Sequence, residues 1–217
     1  MRRGKIRNIV CVLLVASCFL FTGCSETELE ERCFPMLAAA GYEDNKVIFD
    51  VAFAKSGIAG QEKSTTEDVK APKAKGQSFQ KSMETFEGHL NKVVDYNHLK
   101  VFVIEEELIQ EKESFHQMLD YLAKTEGFPR NTYVCAVDDM EDLFELEKKL
   151  SQDLGTYMEE YINKHEEGRS HILTLGDLLD EKENQTMILY MPYIEIEDKY
   201  MEWGGYVNIL GEIWQDF

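Results

Sequence analysis

The side chains able to do chemistry in this chain are scattered rather than grouped. His89, His98, His116, His165 and His171 are not spaced as zinc ligands, either with each other or with cysteine. The sequence contains no His-Glu-x-x-His pair, no Gly-rich phosphate loop and no Gly-x-Ser-x-Gly elbow. Cys135 is the strongest candidate nucleophile. It lies inside the apolar run Tyr133-Val134-Cys135-Ala136-Val137, where a thiol packs as a small hydrophobe, so a free buried cysteine is favoured over a disulfide with Cys33. His98 borders an apolar strand, a setting that suits a hydrogen-bonded structural histidine better than a catalytic base. Glu105 to Glu107 and Glu141-Asp142 lack the Asp-x-Asp-x-Asp-Gly pattern of a calcium loop and suit the positive first turns of helices. Arg130-Asn131-Thr132 follows Pro129 at a strand start, where Asn131 and Thr132 can satisfy loose backbone groups. These residues predict a protein without a catalytic centre, metal or cofactor.

The elements that position these residues are legible as periods. Leu99 to Ile104 is apolar on both faces, with Leu99, Val101 and Val103 to one side and Phe102 and Ile104 to the other. A strand from Tyr96 running into a helix at Glu105–Glu107 is expected, covered on both sides. Upstream, Phe34 to Ala40 and Val47 to Phe53 flank a Gly41–Asn45 turn and read as a hairpin. Residues 55–76 are polar and aperiodic and read as a flexible loop. Phe79, Met83, Phe86, Leu90 and Val93 or Val94 make a helical stripe behind the cap Ser78. Ser114 and Gln117 are spaced as a capping box for a second helix, which Gly127 and Pro129 end. Asn131 to Val137 is the next strand. A helix then runs from Asp138-Asp139 through Leu154, with a break at Gly155 and a restart at Tyr157. Thr174 to Asp177 caps a short helix. Extended segments follow at Thr186–Met191, interrupted by Pro192, and at Gly204–Trp214. The fold class is α+β: a mixed β-sheet with flanking helices and strand-helix-strand crossovers, then a smaller helix and strand region. The expected divisions are residues 1–23, 24–138 and 139–217.

Charge narrows the partners. The 217 residues carry a net charge of −18. The first 23 contain Arg2, Arg3, Lys5 and Arg7 and no acid; without them 19 basic residues face 41 acidic ones, a net −22. Such a surface repels phosphate backbones and anionic headgroups, which excludes nucleic acid as a partner and simple charge as a membrane anchor. The N-terminus supplies another anchor. A basic segment to Arg7 precedes the apolar Ile9–Phe21, too short to span a bilayer comfortably. Phe21-Thr22-Gly23-Cys24 resembles the bacterial lipobox, with Phe21 where leucine is usual. Residues 1–23 are therefore expected to be a lipoprotein signal peptide, and Cys24 the lipidated residue. More than one acyl chain would hold the protein on the extracytoplasmic face of a membrane.

A second resemblance concerns the organising strand. Tyr96-x-His98-Leu99-Lys100-Val101-x-Val103-Ile104-x-x-Glu107-Leu108 is followed, after Leu119–Leu122, by Arg130-Asn131-Thr132-Tyr133-Val134. In order and spacing this resembles the N-terminal region of the Ger(x)C family, the lipoprotein subunits of nutrient germinant receptors in spore-forming bacteria. The resemblance runs from about Cys24 to the last residue, although Ser25-Glu26 departs from the family's usual Trp-Asp. It implies a non-enzymatic subunit at the outer face of the spore inner membrane, assembled with two integral-membrane partners and helping to transduce a nutrient signal. Full-length members continue into a further C-terminal domain, which does not follow here. A degenerate inactive paralogue and a solute-binding lipoprotein of a transporter stand as the alternatives.

Overall fold

In the computed structural model, which describes residues 32–54, 73–167, 172–184, 190–197, 200–208 and 213–214, the first long reversal is at Asp44 and Asn45. Both have positive φ, 52° and 58°, as a two-residue hairpin turn requires, and Asn and Asp tolerate this better than other side-chain-bearing residues. The turn joins β2 (Pro35–Glu43) to β3 (Lys46–Phe53) in antiparallel register, Glu43 opposite Lys46. The hairpin expected from the sequence is thus present. Before it lies the short β1 (Arg32–Cys33), and after it β4 (Ala74–Gly76), which pairs with the outer edge of β3. The loop expected over 55–76 therefore ends earlier: Ala74–Gly76 completes the sheet edge, with Ala74 buried. Residues 55–72 lie outside the described residues.

The middle of the chain alternates. Helix α1 (Phe79–Gly88) starts at Ser78, whose hydroxyl accepts from the Lys81 amide. The expected stripe runs on through Val93-Val94, but the helix stops at Gly88. These two β-branched residues form β5 (Val93–Val94), parallel to β1. A 3-10 turn (Tyr96–His98) leads into β6 (Val101–Glu105), so the strand begins five residues later than Tyr96. The turn also resets the alternation: Leu99 packs with Phe102 and Ile104, not with Val101 and Val103. Next come α2 (Glu106–Gln110), α3 (Lys112–Lys124) and β7 (Tyr133–Val137). Helix α3 starts two residues before Ser114, so no capping box forms. Gln117 instead donates to Glu113 one turn back, at 3.2 Å.

The last third adds α4 (Met140–Glu147), α5 (Leu154–His165), α6 (Leu175–Asn184), β8 (Tyr190–Glu197), β9 (Tyr200–Asn208) and β10 (Ile213–Trp214). Asp139 caps α4 by accepting from Glu141 and Asp142, and Asp153 caps α5 by accepting from Thr156. The helix expected to run through Leu154 is thus two helices. Gly155 does not break the chain; it sits in the first turn of α5, where a Cβ would meet the Met36 carbonyl oxygen at 2.3 Å. Its bareness lets α5 lie directly on β2. Thr174 and Asp177 exchange hydrogen bonds at the start of α6 as expected. Pro192 does not interrupt β8, because pairing with β7 begins only at Tyr193.

The large sheet has the order β10-β9-β8-β7-β6-β2-β3-β4, with β8, β7, β6 and β2 mutually parallel and the flanking strands antiparallel. The fold is α+β with a mixed sheet, and the regions before and after residue 138 both contribute strands to it. Side chains of α1, α2, α3 and α6 cover one face around Phe49, Phe79, Phe86 and Phe102. Those of α4 and α5 cover the other, around Val101, Val103, Leu143 and Met158. Val101 to Ile104 are fully inaccessible, as a strand covered on both faces must be.

One half-buried carboxyl beside this core is out of place. Asp50 on β3 shares the α4 and α5 face with Ile48 and Ala52. Burial pushes its carboxyl up to about 7; the Val51 amide and Lys73 pull down and Glu147 pushes further up. A folded value above the unfolded one gives stability that is full below about pH 4 and lost as pH rises through about 7. Asp50→Asn is expected to remove this loss, raising Tm at pH 8 by about 5 °C, or ~2 kcal/mol. Melting curves at pH 5 and pH 8 test this; a variant with the wild-type pH slope contradicts it.

Candidate functional site

The two sequence motifs meet at the amino ends of β6 and β7. The Thr132 hydroxyl donates to the Leu99 carbonyl at 3.1 Å, and the Tyr133 amide donates to the Lys100 carbonyl at 2.9 Å. Thr132 is 1% exposed, so the backbone-satisfying role expected of it is the one it performs. Asn131 is exposed in the preceding turn. Arg130 reaches across to α6, donating to the Gly176 carbonyl at 3.1 Å and to Asp180 at 2.6 Å, while the Gly176 amide donates to the Arg130 carbonyl at 2.8 Å. Lys100 pairs with Glu159 of α5 at 2.7 Å, and the Tyr133 hydroxyl donates to Asn163 of the same helix at 3.2 Å. The motifs thus join the central strands to a helix on each face. Val101, Val103 and Ile104 supply the buried core, and Glu107 is exposed in the first turn of α2.

Tyr96 has a different role. Asp95 holds the 3-10 turn by accepting from the Asn97 amide at 3.1 Å and receives Arg32 at 2.9 Å. The Asn97 hydrogen bond, with Arg32 adding to it, holds the Asp95 carboxyl below its ordinary range. The turn delivers the Tyr96 ring onto Phe128, stacked at 4.6 Å, and its hydroxyl donates to Glu87 at 3.0 Å. Burial, with the Glu87 carboxylate beside it, pushes the Tyr96 phenol far up, so it stays a donor. Beside this pair lies an open cleft of about 350 Å³, bordered by Arg32, Met83, Glu87, Val93, Glu126 and Gly127 among others. It is a candidate binding site among the described residues.

The remaining reactive groups are dispersed. His98 is exposed and packs edge-on against Phe34 at 5.1 Å; a ring contact stands where a hydrogen bond was expected. His116 Nδ1 lies 2.6 Å from the Lys112 carbonyl, and His165 stacks on Trp203 at 5.1 Å, far apart in the chain and on different helices. His171 and Cys24 lie outside the described residues. Cys33 and Cys135 are both free and buried, and burial pushes both thiols up, away from the thiolate form. Among the described residues, no three His, Cys, Asp or Glu side chains are grouped to hold a metal, and no helix is long and apolar enough to cross a membrane.

Sequence reasoning missed two acids. Glu105 and Glu106 read as plain helix-start residues, yet each makes a long-range bond. The half-buried Glu105 carboxylate accepts from the Tyr42 amide and the Met140 amide, both at 3.0 Å, so it clasps the end of β2 to the start of α4. Burial still raises its pKa against the pull of those two amides. Gly41 makes room for it: a Cβ there would lie 2.3 Å from Glu105 Oε2. Glu106 accepts from the Tyr193 hydroxyl at 2.9 Å. Two acids after an apolar strand give no sequence signal of such partners.

A family model described as the spore germination protein N-terminal domain matches residues 25–196. No curated protein matches the chain. No solved structure matches it.

Proposed function

The chain belongs to the spore germination protein N-terminal domain family, and on that premise we propose that it is a lipid-anchored, non-catalytic subunit of a nutrient germinant receptor. Its role in germination comes from the family. The match over residues 25–196, which takes in both motifs and starts one residue after Cys24, is the observation that carries the finer reading. In this reading Cys24 is lipidated and the domain stands on the outer face of the spore inner membrane, beside integral-membrane subunits whose nutrient response it helps to transmit. Two features support a role through partners rather than turnover. Lys100, Arg130 and Thr132 of the motifs are spent on holding the scaffold together, and the thiols of Cys33 and Cys135 are buried. Tethering confines the domain to a surface, which raises the effective concentration of a weak partner, so the contact need not be large. The acidic charge favours a basic or neutral partner surface and disfavours bare lipid.

The test replaces Cys24. In a spore-former carrying Cys24→Ala, fatty-acid label is expected to disappear from the protein, and the response to at least one nutrient is expected to fall while non-nutrient triggers still work. Crosslinking of wild-type spore membranes is expected to capture a multi-span protein with it. Equal label in wild type and variant contradicts the anchor. Normal nutrient responses in a deletion strain, with no multi-span protein captured, contradict the receptor role and favour an inactive paralogue.

A further inference from the structure

The cleft beside Tyr96 has a chemistry that the germination reading does not use. Its apolar part comprises Met83, Val93 and the stacked Tyr96 and Phe128 rings. Its charged part is Arg32 against Glu87, Asp95 and Glu126. Arg32 and Asp95 neutralise each other at 2.9 Å, which leaves Glu87 and Glu126 as the other two acids that border the space. Glu87 accepts one hydrogen bond from Tyr96, and a carboxylate has room for further donors. Glu126 is exposed at the rim.

The backbone adds to this sign. Glu87 lies in the last turn of α1, and Thr125, Glu126 and Gly127 directly follow α3. The cleft is therefore bordered by the carboxyl ends of two helices, of 10 and 13 residues, where the partial charge is negative. No basic residue lies in the last turn of α1; the one in α3, Lys124, is exposed and does not border the cleft. The volume, about 350 Å³, falls in the range of small-molecule pockets, toward its lower end.

We propose that this cleft, between the carboxyl ends of α1 and α3, is a binding site for a small organic ammonium compound. The ammonium donates to Glu87 and Glu126, and a short apolar stem lies against Val93, Met83 and the Tyr96–Phe128 pair. An anion meets two carboxylates and two negative helix ends. A bare inorganic cation makes no use of the apolar wall. A small molecule, rather than a protein segment, suits a space of this size.

The probe is butylammonium, with butyrate and butanol as controls of matched length, titrated into the detergent-solubilised full chain. Ligand-observed NMR and thermal melting are the readouts. Butylammonium is expected to bind saturably with a Kd on the order of 1 mM, and Glu87→Gln to weaken it about tenfold. Glu84→Gln, on the exposed face of the same helix, is expected to bind as wild type does. Should Glu87→Gln fail to fold, the exposed Glu126→Gln serves instead and is expected to weaken binding about threefold. No saturation, an equal response to butyrate, or wild-type affinity in the informative variant overturns the proposal. Binding of a lysine-bearing peptide in place of the free amine overturns it too, in favour of a protein partner.

Discussion

Val103→Asp is expected to leave the domain largely unfolded at 37 °C. Val103 is fully inaccessible on β6, between Ala39 of β2 and Cys135 of β7, and under the helices of the α4 and α5 face. A carboxylate there has neither water nor a cation, and the shape of the site is set by close-packed neighbours. The substitution costs about 5 kcal/mol, comparable to the whole stability of many domains. Protonation is the only relief, so the variant is expected to regain part of its stability below about pH 6. Denaturant unfolding of wild type and variant at pH 5 and pH 8 measures both effects. A melt within a few degrees of wild type at pH 8 contradicts the two-sided burial of β6.

The second large effect is expected at Glu105. Its carboxylate is the acceptor for two amides from separate elements, Tyr42 at the end of β2 and Met140 at the start of α4. Glu105→Ala removes both acceptors at once and leaves a gap beside Gly41. Each orphaned amide costs about 1–3 kcal/mol, less where water enters the gap, so a total of ~3 kcal/mol is expected. Glu105→Gln is not a rescue: its oxygen serves one amide, while its NH2 points donor-to-donor at the other. Hydrogen exchange gives a local readout. The Tyr42 and Met140 amides are expected to exchange roughly a hundredfold faster in Glu105→Ala, beyond any change in global stability. Unchanged protection at both amides shows that the clasp is not what holds the end of β2 to α4.

The contrast between these two residues shows what the sequence can and cannot disclose. Val103 sits in a run that is apolar on both pleated faces, and such a run has one physical explanation, burial on both sides. The same holds for the hairpin, the alternation of strands and helices, and the caps at Ser78 and Thr174, whose partners lie within three residues. Glu105 was opaque because both of its partners are backbone amides, 63 and 35 residues away, and any residue type carries an amide. The motifs were visible, and so was a backbone-satisfying role for Thr132, but the groups they reach were not. Thr132 and Arg130 act on carbonyls and on α6, and only the fold brings those within reach. Helix ends failed where two structures compete for similar residues. Val93 and Val94 fit the helical stripe, but their pairing with β1 prevails. The cleft beside Tyr96 assembles residues from 32 to 128, which no local pattern foretells.

The strand order has a consequence for how the molecule is made. Among the described residues, β4 is added at one edge of the β2–β3 hairpin and β6 at the other, beside β2; from β7 to β10 each strand is then added beside the one laid down before it. The β2–β3 hairpin, closed by the Asp44–Asn45 turn, can form first from neighbouring residues alone. From β6 on, the nascent chain extends one growing edge, in the direction in which it is synthesised. No late strand has to be inserted between two already paired, so no finished ladder has to reopen. The exposed templates for mispairing are confined to the two edges, the short β4 and the strand added last, which limits aggregation in a chain that folds through slow parallel pairings.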